Sequence, residues 1–358
     1  MSEVYFLGAV SGGVFRTEFE KVIRDRGCFT YILKGGAGTG KSSMMKRIAE
    51  HFENRYHIIR FICSSDPASL DAVVIPELGT AVCDGTSPHV FEPLYPGVCQ
   101  KYINLGEFWD EDKLNADRET IIEATDRNKS LLARAKRFTS AAADICSDTF
   151  QLGVDCLLSD KLEAFIGRTE RKLLDRHGSG SGEKSLLRLT ALTERGFLTL
   201  HETLESCFEV YALKDELFTA SDHLISRLAD DACARGYDVI LSPDQMLSDA
   251  AYQHLIIPEA GFAVISGSAA AESTHRGLRK LNLMRFYDKG MLRERRTRLK
   301  LDKAAVTDLV TEAAETIRSA KAVHDEIESC YIRAMDFSGI DALTGQIIAE
   351  TDQRKMSL

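Results

Sequence analysis

The sequence predicts an α/β fold built twice in tandem. Each copy is a parallel sheet followed by a long helical arm, and the second copy is degenerate. Three observations carry this expectation. A glycine-rich loop, Gly35-Gly36-Ala37-Gly38-Thr39-Gly40, joins an apolar run to an amphipathic one. Short β-branched runs alternate with helical periodicity through the first third of the chain. A set of residue blocks then recurs in the same order about 180 positions later.

Taken in order, residues 6–10 read as a strand, Ser11-Gly12-Gly13 as a turn, and residues 15–23 as an amphipathic helix with Phe15, Phe19, Val22 and Ile23 on one side. Residues 29–33 are a buried strand. After the glycine loop, Met44, Met45, Ile48 and Phe52 recur at helical spacing, so a helix starts near Lys41. Residues 57–63 form a second strand, closing on Ser64-Ser65-Asp66-Pro67, a polar break able to cap a short helix from Ser69. Residues 72–75 lead into Pro76-Glu77-Leu78-Gly79, and residues 80–83 make a further strand that ends at Asp84. Alternation of this kind implies a parallel sheet covered on both faces.

The character changes at Asp110. Residues 110–148 contain neither Gly nor Pro and carry apolar residues at helical spacing, which reads as a long arm; residues 156–175 are a second helix. A Gly/Ser-rich linker at 178–185 separates a unit at 1–177 from a repeat at 186–358. The linker imitates the first glycine loop, but Glu183 stands where a glycine should precede Lys184, and a carboxylate there would repel an anion.

The duplication rests on specific blocks. Ile75-Pro76-Glu77, Gly79, Ala81-Val82 and Gly85 return as Ile257-Pro258-Glu259, Gly261, Ala263-Val264 and Gly267, an offset of 182 residues. Asn104-Leu105 and Phe108-Trp109-Asp110 return as Asn282-Leu283 and Phe286-Tyr287-Asp288, an offset of 178. The second arm covers residues 292–329, and residues 341–352 are a last helix. Where the first copy has its glycine loop, the second reads Asp215-Glu216-Leu217-Phe218-Thr219-Ala220-Ser221-Asp222, without glycine or lysine, and Asp84 becomes Ser266.

The loop has a defined chemistry. Glycines at 35, 36, 38 and 40 permit positive φ, and the turned backbone points successive N–H groups inward as an anion nest. Ala37, Thr39 and Ser43 complete the cradle. Lys41 supplies an ammonium for the β- and γ-phosphates, and the Ser42 hydroxyl fits the octahedral shell of Mg2+. Gly-x4-Gly-Lys-Ser between a strand and a helix is the phosphate-binding pattern, so the expected ligands are a nucleoside triphosphate and Mg2+. Asp84, at a strand end and lost in the second copy, is the expected second holder of Mg2+; Asp66 is the runner-up, with a turn role equally natural beside Pro67. Glu77 could orient a water, although Glu259 survives in the copy without the loop, which favours a structural role. His89 lies near the site in sequence. The basic run Arg293, Arg295, Arg296, Arg298, Lys300 reads either as a solvated helix face or as a source of an arginine in trans.

Bulk properties narrow the class. The 358 residues carry a net charge of −9 at pH 7, which disfavours generic binding to nucleic acid or to an anionic membrane. The first ten residues do not fit a signal peptide, and no apolar stretch is long enough to cross a bilayer. Nine Cys without a Cys-x-x-Cys pair suit reduced thiols and a cytoplasmic setting.

With loop and duplication in hand, the chain resembles a family of bacterial tandem P-loop proteins known only as predicted ATPases or nucleotide-binding proteins. The resemblance rests on residues 32–42, on Cys63-Ser64-Ser65-Asp66-Pro67 with Ser69-Leu70-Asp71, on residues 74–78, on Asp84-Gly85-Thr86-Ser87-Pro88-His89, and on residues 104–110. It implies two P-loop NTPase-like units and ATP rather than GTP. The family often carries a loop in both halves, and this chain departs from that in its second. The expected function is Mg2+-dependent ATP binding with slow hydrolysis in the first copy, the second serving as a regulatory or structural partner. The alternatives are a kinase of a small molecule or nucleotide, and a non-catalytic ATP-gated module whose arms meet a protein partner.

Overall fold

A computed structural model describes residues 2–17, 27–87, 90–174 and 181–354. The first repeat runs β1 (Ser2–Phe6), a hairpin of β2 (Gly8–Ser11) and β3 (Val14–Thr17), β4 (Phe29–Lys34), α1 (Lys41–Phe52), β5 (Ile58–Ile62), β6 (Leu70–Ile75), β7 (Thr80–Asp84) and β8 (Gln100–Asn104). Its helical part is α2 (Glu111–Ala116), α3 (Arg118–Cys156) and α4 (Ser159–Leu173). The second repeat follows the same plan: β9 (Lys184–Leu186), the hairpin β10 (Thr190–Thr193) and β11 (Gly196–Thr199), β12 (Glu209–Lys214), α5 (Thr219–Ala234), β13 (Val239–Asp244), β14 (Ser248–Ile257) and β15 (Phe262–Ser266). It ends with a short α6 (Ser268–Glu272), β16 (Leu278–Asn282), α7 (Lys289–Glu294), α8 (Arg296–Ala334) and α9 (Phe337–Arg354).

Each repeat forms a six-stranded sheet, ordered β1-β5-β6-β7-β4-β8 in the first and β9-β13-β14-β15-β12-β16 in the second, which are equivalent orders. The sheets are mixed, which corrects the expectation of parallel sheets. β1 with β5, and β4 with both neighbours, pair in parallel, whereas β6 runs antiparallel to β5 and β7. Connection length explains this. A parallel crossover needs a dozen or more residues, and only residues 63–69 lie between β5 and β6. The chain must therefore turn back, and the short helix expected from Ser69 is instead the fully buried strand β6. Likewise the start of the helix expected at 15–23 belongs to β3; residues 18–26 lie outside the described residues, as does part of the linker, whose end is the edge strand β9 beside β13.

The chain forms two compact units, each discontinuous in sequence. The first comprises Met1–Gly8, Phe15–Ala135 and Glu315–Leu358; the second comprises Ala9–Val14 and Lys136–Ala314. The units therefore differ from a cut at the Gly/Ser linker, because the helical arms are exchanged. In the first unit, Ile340 and Ile347 of α9 are buried among Met44, Met45 and Ile48 of α1. In the second, Leu162 and Ile166 of α4 are buried among Leu224, Ile225 and Leu228 of α5. Full burial of each such aliphatic side chain contributes about 1.5–3 kcal/mol. Backbone bonds fasten each exchange in the same way: Asp110 N–H donates to Ala334 O at 2.8 Å in the first unit, and Asp288 N–H to Cys156 O at 2.8 Å in the second. Among the described residues no helix is long and apolar enough to cross a membrane.

Candidate functional site

The site belongs to the first unit and starts where β4 ends. The loop 35–40 turns on two glycines in the left-handed region, Gly38 at φ 70° and Gly40 at φ 90°, a conformation open to glycine and costly for other residues. Gly40 is also the N-cap of α1 and offers no side-chain acceptor, so the helix N-terminus is left open to an external anion. The Thr39 hydroxyl donates to Gly36 O at 2.9 Å and steadies the turn. Lys41 Nζ donates to Gly35 O at 2.9 Å and to Gly36 O at 2.7 Å, folding the ammonium over the loop.

Register brings Asp84 to the loop. β4 and β7 pair Leu33 with Asp84, so the carboxylate stands beside the first loop residue, its Oδ2 3.7 Å from Lys41 Nζ. Its Oδ1 accepts from Thr86 N–H at 2.8 Å and from the Thr86 hydroxyl at 2.5 Å. Ser42 Oγ accepts from Leu70 N–H at 3.0 Å, which ties α1 to the start of β6. These groups open onto one cavity of about 660 Å³, a size typical of a small-molecule site. All of Gly35 to Ser43 line it, with Asp66, Asp71 and Asp84 on the sheet side and Asn128, Lys321, His324 and Glu328 on the α3 and α8 side. Glu328 accepts the Gly38 N–H; His324 above all, and then Lys321 and that N–H, hold its carboxyl below the usual range against the effect of burial.

Asp71 is the residue that motif reasoning passes over. It is 6% exposed and lines the cavity. β6 and β7 pair Ala72 with Cys83, so Asp71 and Asp84 lie at adjoining ends of the two strands, and both line the cavity. Asp71 also bonds the Cys63 thiol, which burial first and this carboxylate second push well above its ordinary range. The repeat held the signal: Asp71 becomes Gln253 at the same offset at which Asp84 becomes Ser266.

The other expected residues separate. Asp66 lines the cavity and also closes its own turn, accepting from the Ser69 hydroxyl at 2.7 Å. Glu77 is not among the lining residues; its carboxylate accepts His57 N–H at 3.0 Å. Burial pushes that carboxyl up, but the backbone N–H bonds outweigh burial and hold it low. His89 lies outside the described residues. The basic run belongs to the second unit, where Arg298 pairs with Asp148 and Asp302 and Arg295 with Glu294; none of it lines the cavity.

Among the described residues, no three of His, Cys, Asp and Glu gather to hold a metal ion by themselves. The oxygen donors of Ser42 and Asp84 on one cavity wall fit a hard cation such as Mg2+, which takes one or two protein groups and completes its shell with water and phosphate.

The second repeat shows the same frame closed. Only residues 215–218 separate β12 from α5, and Phe218 takes φ 64° without being glycine. The Asp215 carboxylate accepts from Leu217 N–H at 3.1 Å, Ser221 N–H at 2.8 Å and the Tyr287 hydroxyl at 3.0 Å. Burial raises its pKa, while the hydrogen bonds oppose that shift. The Tyr287 hydroxyl accepts Ala220 N–H at 2.7 Å. Thr219 Oγ1 donates to Phe150 O of α3 at 2.8 Å. A built-in anion thus occupies the helix N-terminus.

No family model, curated protein or solved structure matches this chain.

Proposed function

We propose that the first repeat binds a nucleoside triphosphate, ATP, together with Mg2+ and hydrolyses it slowly, while the second repeat is a regulatory or structural partner. The observation that carries the reading is the glycine loop itself: two positive-φ glycines open the N-terminus of α1 into the cavity, with Lys41 poised between loop carbonyls and Asp84. Loop N–H groups cradle the phosphates, and Lys41 releases Gly35 O and Gly36 O to reach the β- and γ-phosphates. Ser42 and Asp84 hold Mg2+, which supplies charge neutralisation at the phosphates.

A thermal melt with ATP, ADP and GTP, with and without Mg2+, tests the reading. Ligand at about a hundredfold over its Kd stabilises by roughly 2.7 kcal/mol, a shift of several degrees. The shift with Mg-ATP is expected to vanish in Lys41→Ala, which loses charge-assisted bonds on the order of 1.5–3 kcal/mol each. Unchanged affinity in that variant refutes the site. The cavity continues past the loop to Asn128 and His324, which favours a second reading, phosphoryl transfer to a small acceptor; ADP release that requires an added acceptor distinguishes it from hydrolysis.

A further inference from the structure

We infer that Lys321, supplied by the second repeat's arm, reads the terminal phosphate and makes the first repeat's site selective for a triphosphate over a diphosphate. The inference rests on the reading of the loop as a triphosphate site and adds the residue that senses the γ-phosphate.

Position comes first. Residues 317, 321, 324, 328 and 332 recur every three or four places along α8, so one stripe of the helix faces the cavity they line. Glu328 fixes the near end of that stripe, because its carboxylate accepts the Gly38 N–H. Lys321 is two turns away, about 10 Å along the axis. It pairs there with Asp66 at 3.8 Å and with Asp325 at 3.0 Å. Asp66 follows β5 and lines the same cavity as Ser42, Asp71 and Asp84. A phosphate chain that starts at the loop N–H groups and shares its cation with Ser42 and Asp84 therefore extends its last phosphate toward Lys321.

The molecule carries its own control. The arm α3 lies on the closed loop of the second unit as α8 lies on the open loop of the first, and the two 39-residue helices match at an offset of 178. On that register Lys321, His324 and Glu328 correspond to Ala143, Cys146 and Phe150. Ala143 and Cys146 are buried in an apolar cluster with Met246, and Phe150 O takes the Thr219 hydroxyl. The arm is thus charged where the loop keeps its glycines and lysine, and apolar where the loop has lost them. A helix face that served only packing has no reason to follow the chemistry of the loop beneath it.

The test uses the full chain and titrates Mg-ATP and Mg-ADP against wild type, Lys321→Ala and Lys321→Arg by calorimetry. Wild type is expected to bind ATP more tightly than ADP. In Lys321→Ala, loss of one charge-assisted contact is expected to raise the ATP Kd about tenfold or more, with ADP affinity unchanged within about twofold. Lys321→Arg keeps the charge and is expected to keep most of the preference. A wild type that binds both nucleotides equally, or a Lys321→Ala variant that retains the preference, overturns the role of Lys321 while the loop reading stands. A wild type that binds neither nucleotide removes the loop reading and this inference with it.

Discussion

Glu170 and Asp231, two carboxylic acids in contact within the second unit, show how a single residue can set the pH behaviour of the fold. Burial first, and then Asp231, push the Glu170 carboxyl up to about 7, against the pull of Arg227 and Arg235. Between the ordinary carboxylate range and that value, the native chain keeps a proton that the unfolded chain has lost. The contribution of this group to stability therefore falls as pH rises through the window. Burial holds the His254 imidazole down to about 3, which works in the opposite sense up to the ordinary histidine range. Urea titrations at pH 5 and pH 8 therefore compare two proteins: Glu170→Gln is expected to gain stability relative to wild type across the interval. Equal slopes for both proteins refute the assignment. Residue chemistry was the most legible part of the site. Lys41 and Ser42 follow from spacing alone, because a loop between a strand and a helix is a local structure; Asp84 was preferred to Asp66 for its place at a strand end and its loss in the second copy. Asp71 was legible only through the repeat, where it is lost together with Asp84; its place at the strand end adjoining Asp84 depends on a strand direction that no short motif records.

At the scale of the element, the two strand-loop-helix units contrast an open helix N-terminus with one closed by its own carboxylate. In the second, Asp215 satisfies the N–H groups of Leu217 and Ser221 and the Tyr287 hydroxyl at once. Asp215→Ala strips the acceptor from these buried donors, at a cost of about 1–3 kcal/mol for each one left unpaired. A lower melting temperature is expected, with the Mg-ATP shift of the first unit unchanged in size; a variant as stable as wild type refutes the built-in anion. The degeneracy of this loop was visible as lost glycines, but the hydrogen bonds that close it were not, since Tyr287 lies 72 residues from Asp215. The antiparallel β6 was missed because propensity sets a strand's existence while connection length sets its direction.

At the scale of the whole molecule, the repeat was legible and the exchange of arms was not. Blocks such as Ile-Pro-Glu recur in sequence, whereas the sheet on which an arm packs is a tertiary choice between two similar frames. The consequence for fragments is direct. A chain ending at residue 177 has the first sheet without Ile340 and Ile347, which are 4% and 1% exposed against α1. Expressed alone, residues 1–177 are expected to lack a cooperative thermal transition, and co-expression with residues 178–358 is expected to restore one, as followed by circular dichroism. A sharp transition in the isolated fragment refutes this.

The exchange also fixes an order in time. The first unit draws its last segment from Glu315–Leu358, so its core cannot close until α9 has left the ribosome. At about 5–20 residues per second, the roughly 200 residues translated between Ala135 and α9 leave the first sheet unfinished for on the order of ten to forty seconds. The second unit, complete by Ala314, can close first. The repeat that has lost its glycine loop is then the one that finishes early, and the repeat that keeps it finishes later.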